Sequence, residues 1–241
     1  AQASNYRFCT IEPNVGLVDV PDHRMQQLAD LIIPNRIVPT QLEIVDIAGL
    51  VKGASKGEGL GNKFLANIRE VSAVIHVIRC FEDENVLREE GVINPIGDKE
   101  IIETELQLKD LDSVDKKIQR CEKMAKTDPK AKVELEVLQK CKTHLEQGKS
   151  IRSLDLSKEE RTAIADSFLL TEKPVMYVAN VDEASMHTGN KFSAMLVEMA
   201  KNEGAEVIVM CNNIEAQIAE LDTKEERLKF LEMMGLTEPG V

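Results

Sequence analysis

The chain has 241 residues, an apolar fraction of 43% and a formal net charge of −12, values of a globular protein large enough to bury a core. The negative charge argues against broad binding to DNA or an anionic membrane, and aromatic residues make up only 3%, too few for a base-stacking surface. No apolar run is long enough to span a membrane, and the 5 Cys residues form no C-x-x-C pair, as expected for reduced thiols in the cytoplasm.

Apolar segments of strand length alternate with helical patterns along the chain. The pattern predicts helices at 23–32, 61–70 and 189–203. The predicted strands are 15–20, 42–46, 73–80, 174–179 and 206–211. Because these strands are almost continuously apolar, we predict an α/β fold with a doubly wound, mainly parallel sheet, in which 42–46 is buried.

Residues 100–168 follow a different pattern. Apolar side chains recur at three-to-four spacing from Leu108 to Ala125 and from Leu135 to Leu145, which predicts an antiparallel helical hairpin. The second helix is expected to begin with an Asp128 N-cap and Pro129, and a third with a capping box at Ser157. Residues 104–150 carry 11 Lys or Arg against 9 Asp or Glu, so this insertion is slightly basic. It is either a structural brace or a docking arm for a partly anionic partner.

Four segments carry residue types suited to phosphate and nucleotide chemistry. Thr10 precedes the first strand, and its hydroxyl can ligate Mg2+ when a γ-phosphate is present. Asp46 ends the strand 42–46, where a carboxylate can hold a magnesium-bound water and the amide of Gly49 can reach a terminal phosphate. Phe81 follows the next strand and faces either a base or the core. Asn180 follows the fourth strand, where it either binds a purine nitrogen and braces a neighbouring loop or belongs to an Asx turn.

Taken together, these segments resemble the Obg-type P-loop GTPases, and most closely their YchF or Obg-like ATPase subfamily. The resemblance extends to Glu238-Pro239-Gly240, over essentially the whole chain. The motifs that carry it are Asn5-Tyr6-x-Phe8-Cys9-Thr10-Ile11-Glu12-Pro13-Asn14, Asp46-Ile47-Ala48-Gly49-Leu50-Val51-x-Gly53-Ala54-Ser55-Lys56-Gly57-Glu58-Gly59, Arg79-Cys80-Phe81-Glu82 and Asn180-Val181-Asp182-Glu183.

The resemblance implies a role for each phosphate-side residue. Thr10 and Asp46 would hold Mg2+, directly and through water, and Gly49 would contact the γ-phosphate. Leu50 stands where Ras-like enzymes carry the Gln that orients the attacking water. Because a Leu side chain cannot orient water, we assign no catalytic residue and expect slow hydrolysis unless another group assists.

The base-side residues depart from the guanine-specific pattern Asn-Lys-x-Asp. In Asn180-Val181-Asp182-Glu183, Val181 replaces the Lys and Glu183 replaces the final Asp. We expect weaker guanine discrimination, and the resemblance implies that ATP is preferred over GTP, with Phe81, Asn180, Val181 and Glu183 around the base.

The P-loop pattern G-x-x-x-x-G-K-[ST] does not occur in the sequence. We therefore expect a fragment that also lacks the family's TGS domain and that binds nucleotide very weakly alone. Residues 1–99 and 169–241 would form an Obg-type nucleotide-binding domain without its P-loop, and 100–168 the helical insertion.

The resemblance implies a cytoplasmic, ribosome-associated ATPase that hydrolyses the γ-phosphate with Mg2+ and acts in translation or stress regulation. One alternative is a binding module without catalysis that uses Lys116, Lys117, Arg120 and Lys123 of the hairpin. Another is a GTPase of a neighbouring Obg branch.

Overall fold

The computed structural model describes residues 14–47, 60–83 and 92–236, without the side chains of 60–63 and 224. The chain divides into two compact units, Ala1–Val71 and Ser72–Val241, and each is described by itself. The predictions for Thr10, Gly49 and Leu50 lie outside the described residues.

The first unit contains a two-stranded antiparallel sheet. Its elements are β1 (Asn14–Asp19), α1 (His23–Leu31), β2 (Gln41–Asp46) and α2 (Leu60–Glu70). In the sheet, Asn14 lies opposite Asp46 and Asp19 opposite Gln41.

The prediction that segment 42–46 is a buried strand is wrong for the described residues. β2 pairs with β1 alone, so side chains on both faces remain accessible. Leu17 of β1 is 65% exposed and Leu42 of β2 is 53% exposed. An apolar run identifies a strand, but it does not reveal what covers the strand.

The second unit contains the parallel sheet that the sequence predicts. Its strands are β3 (Val74–Arg79), β4 (Val175–Asn180) and β5 (Glu206–Met210), with β4 in the centre. Helix α6 (Lys191–Glu203) packs on this sheet. The shared core includes Ile78, Tyr177, Ala179, Phe192, Leu196 and Ala200. The α/β class and the parallel pairing are thus confirmed.

The connection from β3 to β4 holds the predicted helical hairpin. It consists of α3 (Pro95–Met124), α4 (Pro129–Glu146) and the shorter α5 (Lys158–Ile164). The predicted caps are confirmed, because Asp128 accepts a hydrogen bond from the Lys130 N–H and Ser157 forms a capping box with Glu160. The helices enclose their own core, which includes Val114, Val137, Leu138, Cys141, Ile151 and Ile164.

A charged cluster attaches the base of α3 to the sheet. Lys99 forms ion pairs with Glu103 on α3 and, at 2.5 Å, with Glu203 at the end of α6. The Tyr177 hydroxyl of β4 donates to Glu203 at 2.9 Å, and Arg152 contacts Glu103 at 2.6 Å. Because Lys99 and Glu103 are largely buried, removing either partner would cost more stability than breaking a surface ion pair.

The described chain ends with α7 (Asn212–Glu220) and α8 (Lys224–Met233), which enclose a small core of Cys211, Ile214, Ile218 and Leu231. Among the described residues, no helix is long and apolar enough to cross a membrane.

Candidate functional site

The carboxyl ends of the three parallel strands meet at one edge of the sheet in the second unit. Arg79 lies opposite Asn180, and Asn180 lies opposite Met210. The pairing continues past the strands, because the Cys80 N–H donates to the Asn180 carbonyl at 2.8 Å and the Val181 N–H to the Met210 carbonyl at 3.0 Å. Loops that leave this edge therefore start side by side, which is where open α/β sheets bind ligands.

Asn180 links two of these loops through its side chain. Its Oδ1 accepts a hydrogen bond from the backbone N–H of Asn212 at 3.0 Å, so it caps the first residue of α7. No described residue accepts a hydrogen bond from its Nδ2. The Asx turn that was the alternative for this segment is formed by Asp182, whose Oδ1 accepts from the Ser185 N–H at 2.9 Å. Asn180 thus braces the neighbouring loop and retains an amide donor.

Val181 and Glu183 differ sharply in accessibility. Val181 is 2% exposed and belongs to the core beneath the sheet edge. Its side chain is therefore a core residue and could meet a base only after rearrangement. Glu183 is exposed at the start of a short 3-10 turn, Glu183–Ser185, so its carboxylate is accessible.

Phe81 is held by Arg79, which is two residues earlier in the chain. The Arg79 Nε donates to the Phe81 carbonyl at 3.0 Å, and its terminal nitrogen donates to the Asp83 carbonyl at 3.1 Å. The guanidinium also lies 4.8 Å from the centre of the Phe81 ring, within cation–π distance. Phe81 is half-buried, so it is neither a pure core residue nor a free surface ring.

Cys80 stands beside these residues but is not a nucleophile. The residue is fully buried, and burial raises the pKa of its thiol to about 11. A thiol with this pKa remains protonated near neutral pH. Cys80 therefore contributes its backbone to the edge, not reactivity.

Asp46 belongs to the first unit, at the end of β2. Its side chain is exposed, and it forms no hydrogen bond or ion pair with another described residue. An exposed carboxylate fits the water shell of Mg2+, which usually retains waters and takes one or two carboxylates together with substrate phosphates. Within the described ranges, no group of three or more His, Cys, Asp or Glu residues forms a metal cluster. The shared Mg2+ site of Thr10 and Asp46 stays a prediction.

The sequence pattern does not predict the role of one further residue at the sheet edge. Asn190 caps α6 and also donates from its Nδ2 to the Cys80 carbonyl at 2.7 Å. The pair Gly189-Asn190 before an apolar periodic segment is a helix-start signal. The partner of Asn190 is 110 residues away in sequence, and no local pattern identifies it.

Comparisons with known proteins support the fold and the resemblance. The family model described as 50S ribosome-binding GTPase matches residues 1–120. The chain is 52% identical over 241 residues to the "Ribosome-binding ATPase YchF" of Escherichia coli O157:H7 and 49% identical over 244 residues to that of Bacillus subtilis strain 168. Each alignment covers 100% of this chain and 66% of the relative, so the chain spans about two thirds of their length.

A solved structure agrees with the sequence matches. The YchF GTPase of Schizosaccharomyces pombe superimposes with a TM-score of 0.79 at 34% identity, covering 97% of this chain and 64% of that one. Sequence identity along the whole chain and a shared fold lead to one conclusion. The chain belongs to the YchF family.

Proposed function

We propose that this chain carries the base-binding edge and part of the magnesium site of a ribosome-associated nucleoside triphosphatase that prefers ATP to GTP. The observation that carries this proposal is the Asn180 amide. Its Oδ1 accepts a hydrogen bond from the Asn212 N–H, and its Nδ2 donates no hydrogen bond to any described residue. An amide donor at the carboxyl end of a parallel strand suits the acceptor N7 that every purine presents.

Because both purines carry N7, Asn180 does not choose between them. The choice depends on positions 1, 2 and 6. Adenine carries an amino group at position 6, whereas guanine carries a carbonyl there, an N–H at position 1 and an amino group at position 2. The Asn212 N–H, next to Asn180, is already donated and is not available to the guanine carbonyl. Glu183 offers an accessible acceptor, but guanine also presents donors to a carboxylate, so Glu183 does not choose between the two bases. The proposed preference for adenine therefore depends on the occupied Asn212 N–H and on the replacement of the Lys of the guanine-specific pattern by Val181.

The proposed reaction is attack of water on the γ-phosphorus with loss of ADP, which leaves inorganic phosphate and one proton. Bound Mg2+ would neutralise charge on the phosphate oxygens. Asp46 would hold its water shell, and Thr10 and Gly49 are proposed to complete the phosphate side. Leu50 cannot orient the attacking water, so slow hydrolysis without an assisting group is part of the proposal.

The magnesium role is tested with Asp46→Asn in the full-length protein. We expect Mg2+-dependent ATP hydrolysis to fall by about a hundredfold, since an amide binds the water shell without a charge. Glu43→Gln is the matched control, because Glu43 is an exposed acid on the same strand. Equal activity of the Asp46 variant and the control would remove Asp46 from the site.

Competition between ATP and GTP for a fluorescent nucleotide tests the base preference, and strong guanine selectivity would contradict it.

A second candidate is binding of an anionic partner by the tip of the hairpin. Four cations there, Arg120, Lys123, Lys126 and Lys130, are exposed and form no ion pair with a described residue. Lys117, in contrast, contacts Glu134 and Asp166 and holds the hairpin together, and Lys116 pairs with Asp112. Changing the four tip residues to Gln should weaken ribosome binding and leave ATP hydrolysis intact, whereas Lys116→Gln is the control. Unchanged ribosome binding would exclude the tip.

A further inference from the structure

Asn190 contacts separate segments at the sheet edge through one amide side chain. Its Oδ1 accepts hydrogen bonds from the N–H groups of Phe192 and Ser193, each at 3.0 Å, and so caps α6. Its Nδ2 donates to the Cys80 carbonyl at 2.7 Å, with a longer contact of 3.4 Å to the Ser185 hydroxyl. The amide oxygen therefore caps α6, and the amide nitrogen links the start of α6 to the neighbouring loops.

The backbone around Asn190 allows little freedom. The Ser193 hydroxyl accepts from the Asn190 N–H at 2.8 Å and donates to the Asn190 carbonyl at 3.0 Å. Ser193 is 2% exposed. Gly189 has φ of +67°, and a Cβ there would lie 2.7 Å from the Ser193 hydroxyl. The closed capping box fixes the direction in which the Asn190 Nδ2 points.

The contact with Cys80 bears directly on Phe81. The Cys80 carbonyl is part of the peptide unit that leads into Phe81, and Arg79 holds the Phe81 carbonyl from the other side. Lys191, next to Asn190, lies 3.5 Å from Glu82 in an exposed ion pair. That pair adds little free energy, so the Asn190 hydrogen bond is the stronger link between α6 and the Phe81 segment.

We propose that Asn190 is a positioning residue for the nucleobase: its Nδ2 holds the Phe81 segment in register with the 183–185 turn that follows Asn180. The inference rests on the proposed function, because it assumes that Phe81 and Asn180 flank a base. Strand pairing already joins Cys80 to Asn180 through their backbones, and Asn190 adds the link that holds the loops beyond that pair, without itself touching the base.

Asn190→Asp separates the capping function of the side chain from its hydrogen bond to Cys80. Aspartate is as good an N-cap as asparagine, so α6 keeps its cap. The donor to Cys80 is lost, and a carboxylate oxygen faces a carbonyl oxygen in its place. Asn202→Asp is the control, because it makes the same change at an exposed position near the other end of α6.

Two measurements test the inference in the full-length protein. Amide hydrogen exchange of Asn190→Asp should become faster in residues 80–83 and 183–187 and remain unchanged in the body of α6. Steady-state hydrolysis should show KM for ATP raised about tenfold with kcat unchanged, because the γ-phosphate side is not affected, and the preference for ATP over GTP should fall. The control should match the wild type in both.

The outcomes separate this inference from the proposed function. Unchanged exchange in residues 80–83 would overturn the positioning role, whatever the nucleotide result. Faster exchange with unchanged KM and unchanged base preference would overturn it as well. If Asn180→Ala raises KM while Asn190→Asp does not, only the positioning role is wrong. If neither variant affects nucleotide binding, the proposed base site itself is wrong.

Discussion

His76 is a half-buried histidine on β3, and its surroundings keep it neutral. Burial lowers the pKa of its imidazole to about 4, and this outweighs the opposite effect of Glu103. Lys99 and Arg152 lower the pKa further through their positive charges. The ring lies 6.0 Å from that of Tyr177. His76 therefore belongs to the attachment between sheet and hairpin, and not to the site at the strand ends.

We expect the free energy of unfolding to fall as the pH drops from 6.5 to 4. The unfolded chain protonates His76 near pH 6.5, whereas the folded chain does so only near pH 4. The unfolded state thus binds more protons in this window. Protonation of His76 stabilises the unfolded state relative to the folded state by at most about 3 kcal/mol. His76→Gln should flatten this part of the curve, as measured by urea unfolding at several pH values.

The neighbouring carboxylate acts in a different window. Burial acts to raise the pKa of Glu103, but hydrogen bonds from Lys99 and Ser150 outweigh it, so the pKa lies below 4.5. The stability that Glu103 contributes is therefore lost as the pH falls from 4.5 through its lower folded pKa, so the effect of Glu103 overlaps only the acid end of the His76 window. His23→Gln, at an exposed position, is the control. Parallel curves for the wild type and His76→Gln between pH 4 and 6.5 would contradict the prediction.

At the scale of the element, the start of α6 depends on Gly189. Gly189→Ala should destabilise the protein by more than Gly148→Ala. Both glycines have φ near +70°, which costs an alanine about 1–2 kcal/mol. The Cβ at position 148 would meet no atom within 4 Å, whereas at position 189 it would lie 2.7 Å from the Ser193 hydroxyl. Thermal unfolding of the two variants measures the difference, and equal losses would mean that the capping box adjusts without cost.

The elements also divide into those that sequence could predict and those that it could not. The caps at Asp128 and Ser157 depend on residues two or three positions apart, so local rules suffice. The parallel pairing of β3 with β4 followed from their apolar runs. The exposure of β2 and the bond from Asn190 to Cys80 depend on what lies beside an element in space, which local patterns do not encode.

At the scale of the whole molecule, burial is distributed unevenly along the chain. Among residues 14–47, no side chain is buried, and large apolar side chains such as Leu31 and Ile33 are 81% and 95% exposed. The hydrophobic clusters described above lie in the second unit. Since burial of apolar area is the main source of stability, the segment 14–47 has little of its own.

We therefore expect residues 14–47 to open at lower urea concentrations than the second unit. Trypsin should cleave after Arg24 and Arg36, both exposed, while Cys80 and Cys141 still resist a thiol reagent. These two thiols are fully buried, and burial raises the pKa of each to about 11, so they become reactive only when their cores open. The experiment uses the Cys9→Ser variant, so that the thiol of Cys9, which lies outside the described residues, does not contribute to the labelling signal. Cleavage and labelling that begin at the same urea concentration would mean that both units unfold together, and the uneven burial would then have no energetic consequence.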